Sequence, residues 1–102
     1  MSMIEEQWEF LLKKDDEDAR RVATRAYQEP ALRKLFPYTS MSNLKFSKKV
    51  EHPYDALPYI YVIKDEPRRY QVRAADHRPL LEGGLDAVVT ALVHLLSEEA
   101  PA

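Results

Sequence analysis

Tyr59-Ile60-Tyr61-Val62-Ile63 decides how this chain folds. The stretch is apolar or aromatic at every position and rich in types that favour extended backbone. A strand of that kind is buried on both faces, so it belongs in the middle of a sheet. Downstream, Asp65-Glu66-Pro67-Arg68 is turn material, and Tyr70, Val72 and Ala74 then alternate with Arg69, Gln71 and Arg73. That period of two predicts another strand, hairpinned to the central one. Asp76-His77-Arg78-Pro79 reads as a loop and Leu80-Leu81 as a short fourth strand. Gly83-Gly84 opens a last helix over about Leu85 to Ser97, with Leu85, Val88, Val89, Leu92 and Leu96 on one face.

Upstream, Leu44, Phe46 and Val50 alternate with Asn43, Lys45, Ser47 and Lys49, which predicts a half-buried strand. Before it the period is helical. Ser2 and Glu5 have capping-box spacing, and Ile4, Trp8, Leu11 and Leu12 share a face. A second helix is expected from about Asp16 to Gln28, acidic in its first turn, with Ala19, Val22, Ala23, Ala26 and Tyr27 as its stripe. Pro30 can start a further helical turn carrying Leu32, Leu35 and Phe36, which Pro37 stops. The segment Pro37 to Ser42 reads as a hydroxyl-rich loop. The expected fold is therefore α+β: a three- or four-stranded antiparallel sheet with N-terminal helices and a C-terminal helix packed on it, in one domain spanning 1-102.

Composition excludes several kinds of chemistry. The chain has no cysteine, so a disulfide framework, a thiolate zinc site and a thiol nucleophile are ruled out. No apolar run reaches the ~20 residues of a membrane helix, and the acidic start is not a signal peptide, so cytoplasm is the expected location and no membrane partner is expected. The net charge of −2 argues against a nucleic-acid ligand. Double-stranded-RNA-binding domains also run α-β-β-β-α, but the extra helices and net acidity here do not suit that role. Basic residues are nonetheless clustered, in Arg20 to Lys49 and again at Arg68, Arg69, Arg73 and Arg78, either as solvated faces or as a surface for an acidic partner.

No nucleotide loop, nucleophile elbow or zinc-protease motif is present. Glu5, Glu6 and Glu9 read as the wet side of the first helix. Of the three histidines, His94 lies opposite the last helix's apolar stripe and His77 sits in a polar loop. His52 precedes Pro53-Tyr54 in the most aromatic part of the chain, and no histidine pair has metal-ligand spacing. The segment Phe36 to Tyr61 stands out for Tyr38, Tyr54, Tyr59 and Tyr61 among Pro37, Pro53 and Pro58. It is either a tyrosine-rich core wrapped by a stiff loop or a contact surface, since tyrosine combines a rigid apolar ring with a polar tip.

The run Leu32-Arg33-Lys34-Leu35-Phe36-Pro37-Tyr38-Thr39-Ser40, then Leu44-Lys45-Phe46-Ser47, Pro53-Tyr54, Leu57-Pro58, Arg69-Tyr70-Gln71-Val72 and Leu81-Glu82-Gly83-Gly84 resembles small actinobacterial proteins of natural-product clusters. Over Trp8 to Leu96 the chain is similar to the lysinoalanine-forming proteins of duramycin- and cinnamycin-type lanthipeptide pathways. That resemblance implies a homodimer that adds a lysine amine to a dehydroalanine of a modified precursor peptide. Such an addition needs no cofactor, metal or covalent nucleophile. It needs a neutral lysine, donors for the developing enolate, and the two reacting groups held together. From this chemistry, His52 and Tyr54 are the expected catalytic residues. Tyr38, Thr39, Ser40, Ser42 and Ser47, with Arg69 and Arg73, are the expected peptide-binding residues, with no metal and no cofactor. The competing expectation is a non-catalytic peptide- or small-molecule-binding accessory or immunity protein.

Overall fold

A computed structural model describes residues 2–99. The first helix, α1 (Met3–Leu12), begins at Ser2, whose hydroxyl accepts from the backbone N–H of Glu5 at 3.1 Å. The second, α2 (Glu17–Tyr27), is capped by Asp16 through the N–H of Ala19. A single turn, α3 (Pro30–Arg33), starts on Pro30, where a missing N–H costs nothing. Strands β1 (Phe36–Ser40), β2 (Asn43–Ser47), β3 (Tyr59–Val62), β4 (Tyr70–Arg73) and β5 (Pro79–Gly83) follow, and α4 (Leu85–Glu99) closes the chain.

The strands form a five-stranded antiparallel sheet in the order β1-β2-β3-β4-β5, so the Tyr59–Val62 strand is indeed central. Five strands rather than three or four is a correction, and its source is Pro37 to Ser42. That stretch is not a loop: Phe36 to Ser40 pairs residue by residue with Ser47 to Asn43. Pro37 is compatible with a strand because β1 lies at the sheet edge, where its missing N–H need not face a partner. The connecting Met41 and Ser42 have φ of 53° and 72°, the positive pair that a type I′ hairpin turn demands. Val50, expected to end the second strand, lies beyond it, because the chain leaves the sheet after Ser47.

One sheet face carries the core. Leu44 and Phe46, Ile60 and Val62, and Tyr70 and Val72 point the same way and meet Trp8, Leu11, Val22, Ala26, Leu32, Val88, Val89 and Leu92 of the helices. Alternation turns Phe36, Tyr38, Lys45, Ser47, Tyr59, Tyr61, Gln71 and Arg73 to the other face. Phe36 and Tyr59 are only 6% and 5% exposed yet stand outside the core cluster, so something other than a helix covers them. Among the described residues, no helix is long and apolar enough to cross a membrane.

Candidate functional site

The sheet face away from the helices is built in rows. Register places Tyr38 opposite Lys45 and Tyr59 opposite Arg73, and Leu44 opposite Ile60 sets Lys45 beside Tyr59. At a strand spacing of about 4.8 Å, that row from Tyr38 to Arg73 spans roughly 14 Å. Cations lie on rings of this face. The Lys45 ammonium is 4.8 Å from the centre of the Tyr59 ring, and the Arg73 guanidinium is 3.5 Å from that of Tyr61. The Tyr59 hydroxyl is 2.9 Å from Nδ1 of His77. His77 reaches it because its φ of 73° folds the β4–β5 loop back toward the face. Neither Lys45 nor Arg73 is ion-paired among the described residues, so both charges are open to a ligand.

The loop after β2 folds over the other end of this face. Tyr54 stacks 4.5 Å from Tyr38 and 5.4 Å from Phe36, and His52 stacks 4.1 Å from Tyr54. The His52–Pro53 peptide bond is cis. Burial, with smaller contributions from Tyr54 and Asp55, holds the Tyr38 hydroxyl above the usual tyrosine range, which keeps it a hydrogen-bond donor.

What holds the loop is Ser47. Its side chain is completely buried; its hydroxyl donates to Asp55 at 3.3 Å and accepts from the N–H groups of Lys49 and Asp55, each at 3.0 Å. Asp55 also accepts from the N–H of Lys48 at 2.7 Å, the main reason its carboxyl is held below the ordinary value of 3.8.

The residues expected from the sequence thus divide. Tyr38, His52 and Tyr54 come together as one aromatic stack. Arg73 is on the same face, three strands along the sheet from Tyr38. Ser47 is beneath the loop, with its hydroxyl already engaged. Thr39 faces the helical side and accepts from Lys14 at 3.0 Å. Ser42 sits in the hairpin turn, donating to the carboxylate of Asp16 and accepting from Lys64 at 3.3 Å. Ser40 is exposed at the end of β1.

Arg69 and Arg73 do not converge as alternation alone suggests. Their Cα atoms are about 13 Å apart along an extended chain. Arg69 is drawn to the far edge by Glu82 at 2.9 Å and Glu66 at 3.6 Å, whereas Arg73 donates to Gln71 at 2.9 Å. Lys45, Tyr59, Tyr61 and His77 belong to the face and were absent from the expected set. The signal for Lys45, Tyr59 and Tyr61 is the outward parity of their strands, readable only once the register is known; His77, in the β4–β5 loop, carries no such signal.

Among the described residues, no group of three or more His, Asp or Glu side chains is arranged to hold a metal ion. The chemistry open to this face is recognition by aromatic edges, hydroxyl donors and two cations. No curated protein and no solved structure matches the chain. Residues 2–100 match the profile of a family described as a family of unknown function, DUF6193. The chain belongs to the DUF6193 family.

Proposed function

We propose that the open sheet face binds a dehydrated lanthipeptide precursor and holds it for cofactor-free lysinoalanine formation. The observation that carries this reading is the row Tyr38–Lys45–Tyr59–Arg73, with two unpaired cations on rings and the His52–Tyr54 loop at one end. In the reaction, the lysine nitrogen bonds to the β-carbon of dehydroalanine and the carbon–carbon double bond is consumed. The proton lost by nitrogen is matched by one gained at the α-carbon, so the product is an isomer. Two fixed cations disfavour a third, so they lower the pKa of an incoming lysine from about 10.4 and raise its neutral share. Tyr54, with Tyr38 kept protonated, supplies donors to the enolate oxygen, and His52 takes the proton from nitrogen. The remaining acceleration comes from positioning, whose share can reach ~7–11 kcal/mol.

The reading includes a homodimer. Met3 and Phe10 (each 59% exposed) and Leu80 and Leu81 (each 42%) are apolar area that association would cover. It also includes a cytoplasmic site of action, where a cysteine-free chain meets no redox conflict. A second reading, a peptide-binding accessory protein without turnover, is favoured by the same cation-capped rings, which suffice to grip an anionic peptide.

Ring closure changes no mass, so the test is the lifetime of thiol-reactive dehydroalanine in a dehydrated precursor peptide. This protein shortens that lifetime if the first reading holds. Retention of the peptide with an unchanged lifetime favours the accessory reading, and neither effect removes both.

A further inference from the structure

On the helical side, away from the sheet face just described, α1 and α3 border an open groove of about 740 Å³. Its floor is apolar: Ile4, Trp8 and Leu12 from α1, and Tyr27 at the end of α2. The rings are fixed. The Trp8 indole N–H donates to the carbonyl of Leu35 at 3.0 Å, and Trp8 meets Tyr27 edge-on at 5.4 Å. Along one wall stand Arg33 and Lys34. Arg33 is held in place by donating to the carbonyls of Tyr27 at 2.8 Å and Gln28 at 3.4 Å, and its guanidinium lies 5.0 Å from the Tyr27 ring centre. Neither Arg33 nor Lys34 is ion-paired among the described residues. Along the other wall are Glu5 and Glu9, with Glu9 already bound to Lys13 at 3.0 Å.

We infer that this groove is a binding site for a small amphipathic monocarboxylate with an aromatic or aliphatic body. The volume lies within the ~300–1,000 Å³ of small-molecule sites, and a mostly apolar lining with few fixed polar groups is their usual make-up. The two hydrogen bonds that orient Arg33 go to neutral carbonyls. Its charge therefore has no anionic partner, and its other N–H donors remain for a carboxylate. A guanidinium already ordered loses little freedom on binding. The acidic wall fixes the number of charges: a second anionic group would face Glu5, so the ligand carries one carboxylate, at the Arg33–Lys34 wall, and apolar matter across the floor.

The test uses 4-phenylbutyrate as probe, with 4-phenylbutanol and 4-phenylbutylamine as neutral and cationic matches, read by the emission of Trp8, the one tryptophan in the chain. The expected result is a saturable change with phenylbutyrate and clearly weaker responses to the alcohol and the amine. Arg33→Ala should weaken binding by about tenfold or more, the share of a charge-assisted hydrogen bond. Because Arg33 also caps α2, Lys34→Ala is the companion variant: it leaves those caps intact and should weaken binding severalfold. Equal affinity for all three probes, no saturable change, or unaltered affinity in both variants would overturn the assignment. The readout needs no precursor peptide, so its outcome is independent of events on the sheet face.

Discussion

Tyr54 and Tyr38 stack with ring centres 4.5 Å apart, one from the loop after β2 and the other from the edge strand β1. The contact ties the loop to the open face and makes the edge strand part of the proposed site. If this stack and His52 take part in ring closure, substitution should slow it without abolishing it, since no covalent nucleophile is involved. Tyr54→Phe and His52→Ala should each cost about ten- to a thousandfold in the rate of dehydroalanine loss, the range of general acid–base and oxyanion contacts. Wild-type rates in both would remove the stack from the chemistry.

Arg73 and Arg69 should behave differently, although both are arginines of outward parity around β4. Arg73 caps Tyr61 and has no acidic partner among the described residues, whereas Arg69 is bound to Glu82 and Glu66. Arg73→Ala should weaken affinity for the precursor peptide by about tenfold or more, as expected for loss of a charge-assisted contact. Arg69→Ala should change affinity by less than Arg73→Ala. Titration of labelled peptide into each variant measures both, and the reverse order would move the binding site to the β5 edge.

The hairpin turn gives a stability prediction of opposite sign at neighbouring positions. Met41 is 83% exposed with φ of 53°, a backbone region that costs most side chains roughly 1–2 kcal/mol and asparagine less. Met41→Asn should therefore stabilise the protein by about 0.5–1 kcal/mol in denaturant unfolding. Ser42→Gly relieves the same conformation but removes the hydroxyl that joins the turn to Asp16 and Lys64, so it should be neutral or destabilising. A stabilising Ser42→Gly would mean those bonds contribute less than the relieved backbone conformation.

That turn also explains what the sequence did and did not disclose. The helices, the cap at Ser2 and the central strand follow from period and capping chemistry, whereas Asp16, expected inside the second helix, caps it from outside. Strand β1 was hidden because it contains Pro37 and ends in Met-Ser, where a hairpin of this kind normally carries Asn-Gly. Without β1, Tyr38 and Thr39 share a loop, while the pleat sends them to opposite faces. Ser47 looked like a surface hydroxyl because serine usually is one, and only the fold of the loop onto Asp55 buries it. Lys45 and His77 were missed because their neighbours come from other strands.

Acid should loosen both hydroxyl–carboxylate joints. The Asp16 carboxyl is held low chiefly by the Ser42 hydroxyl, and that of Asp55 chiefly by the Lys48 N–H. Groups with depressed folded values stabilise the protein fully above the ordinary aspartate value of 3.8 and lose that contribution as pH falls through the lower folded value. The melting temperature should thus fall steadily below about pH 4, and less steeply in Asp55→Asn than in wild type. An identical slope in the variant would show that Asp55 does not hold the loop by its charge.

The six tyrosines report on where the peptide sits. Tyr38, Tyr54, Tyr59 and Tyr61 belong to the open face and its loop, whereas Tyr27 and Tyr70 lie on the helical side. The direct measurement is the ring resonances of tyrosine-labelled protein as dehydrated precursor peptide is added. Saturable shifts of the four open-face rings, with Tyr27 and Tyr70 unmoved, are the predicted result. Shifts confined to Tyr27 and Tyr70, or no shift at saturating peptide, would contradict peptide binding on the open sheet face.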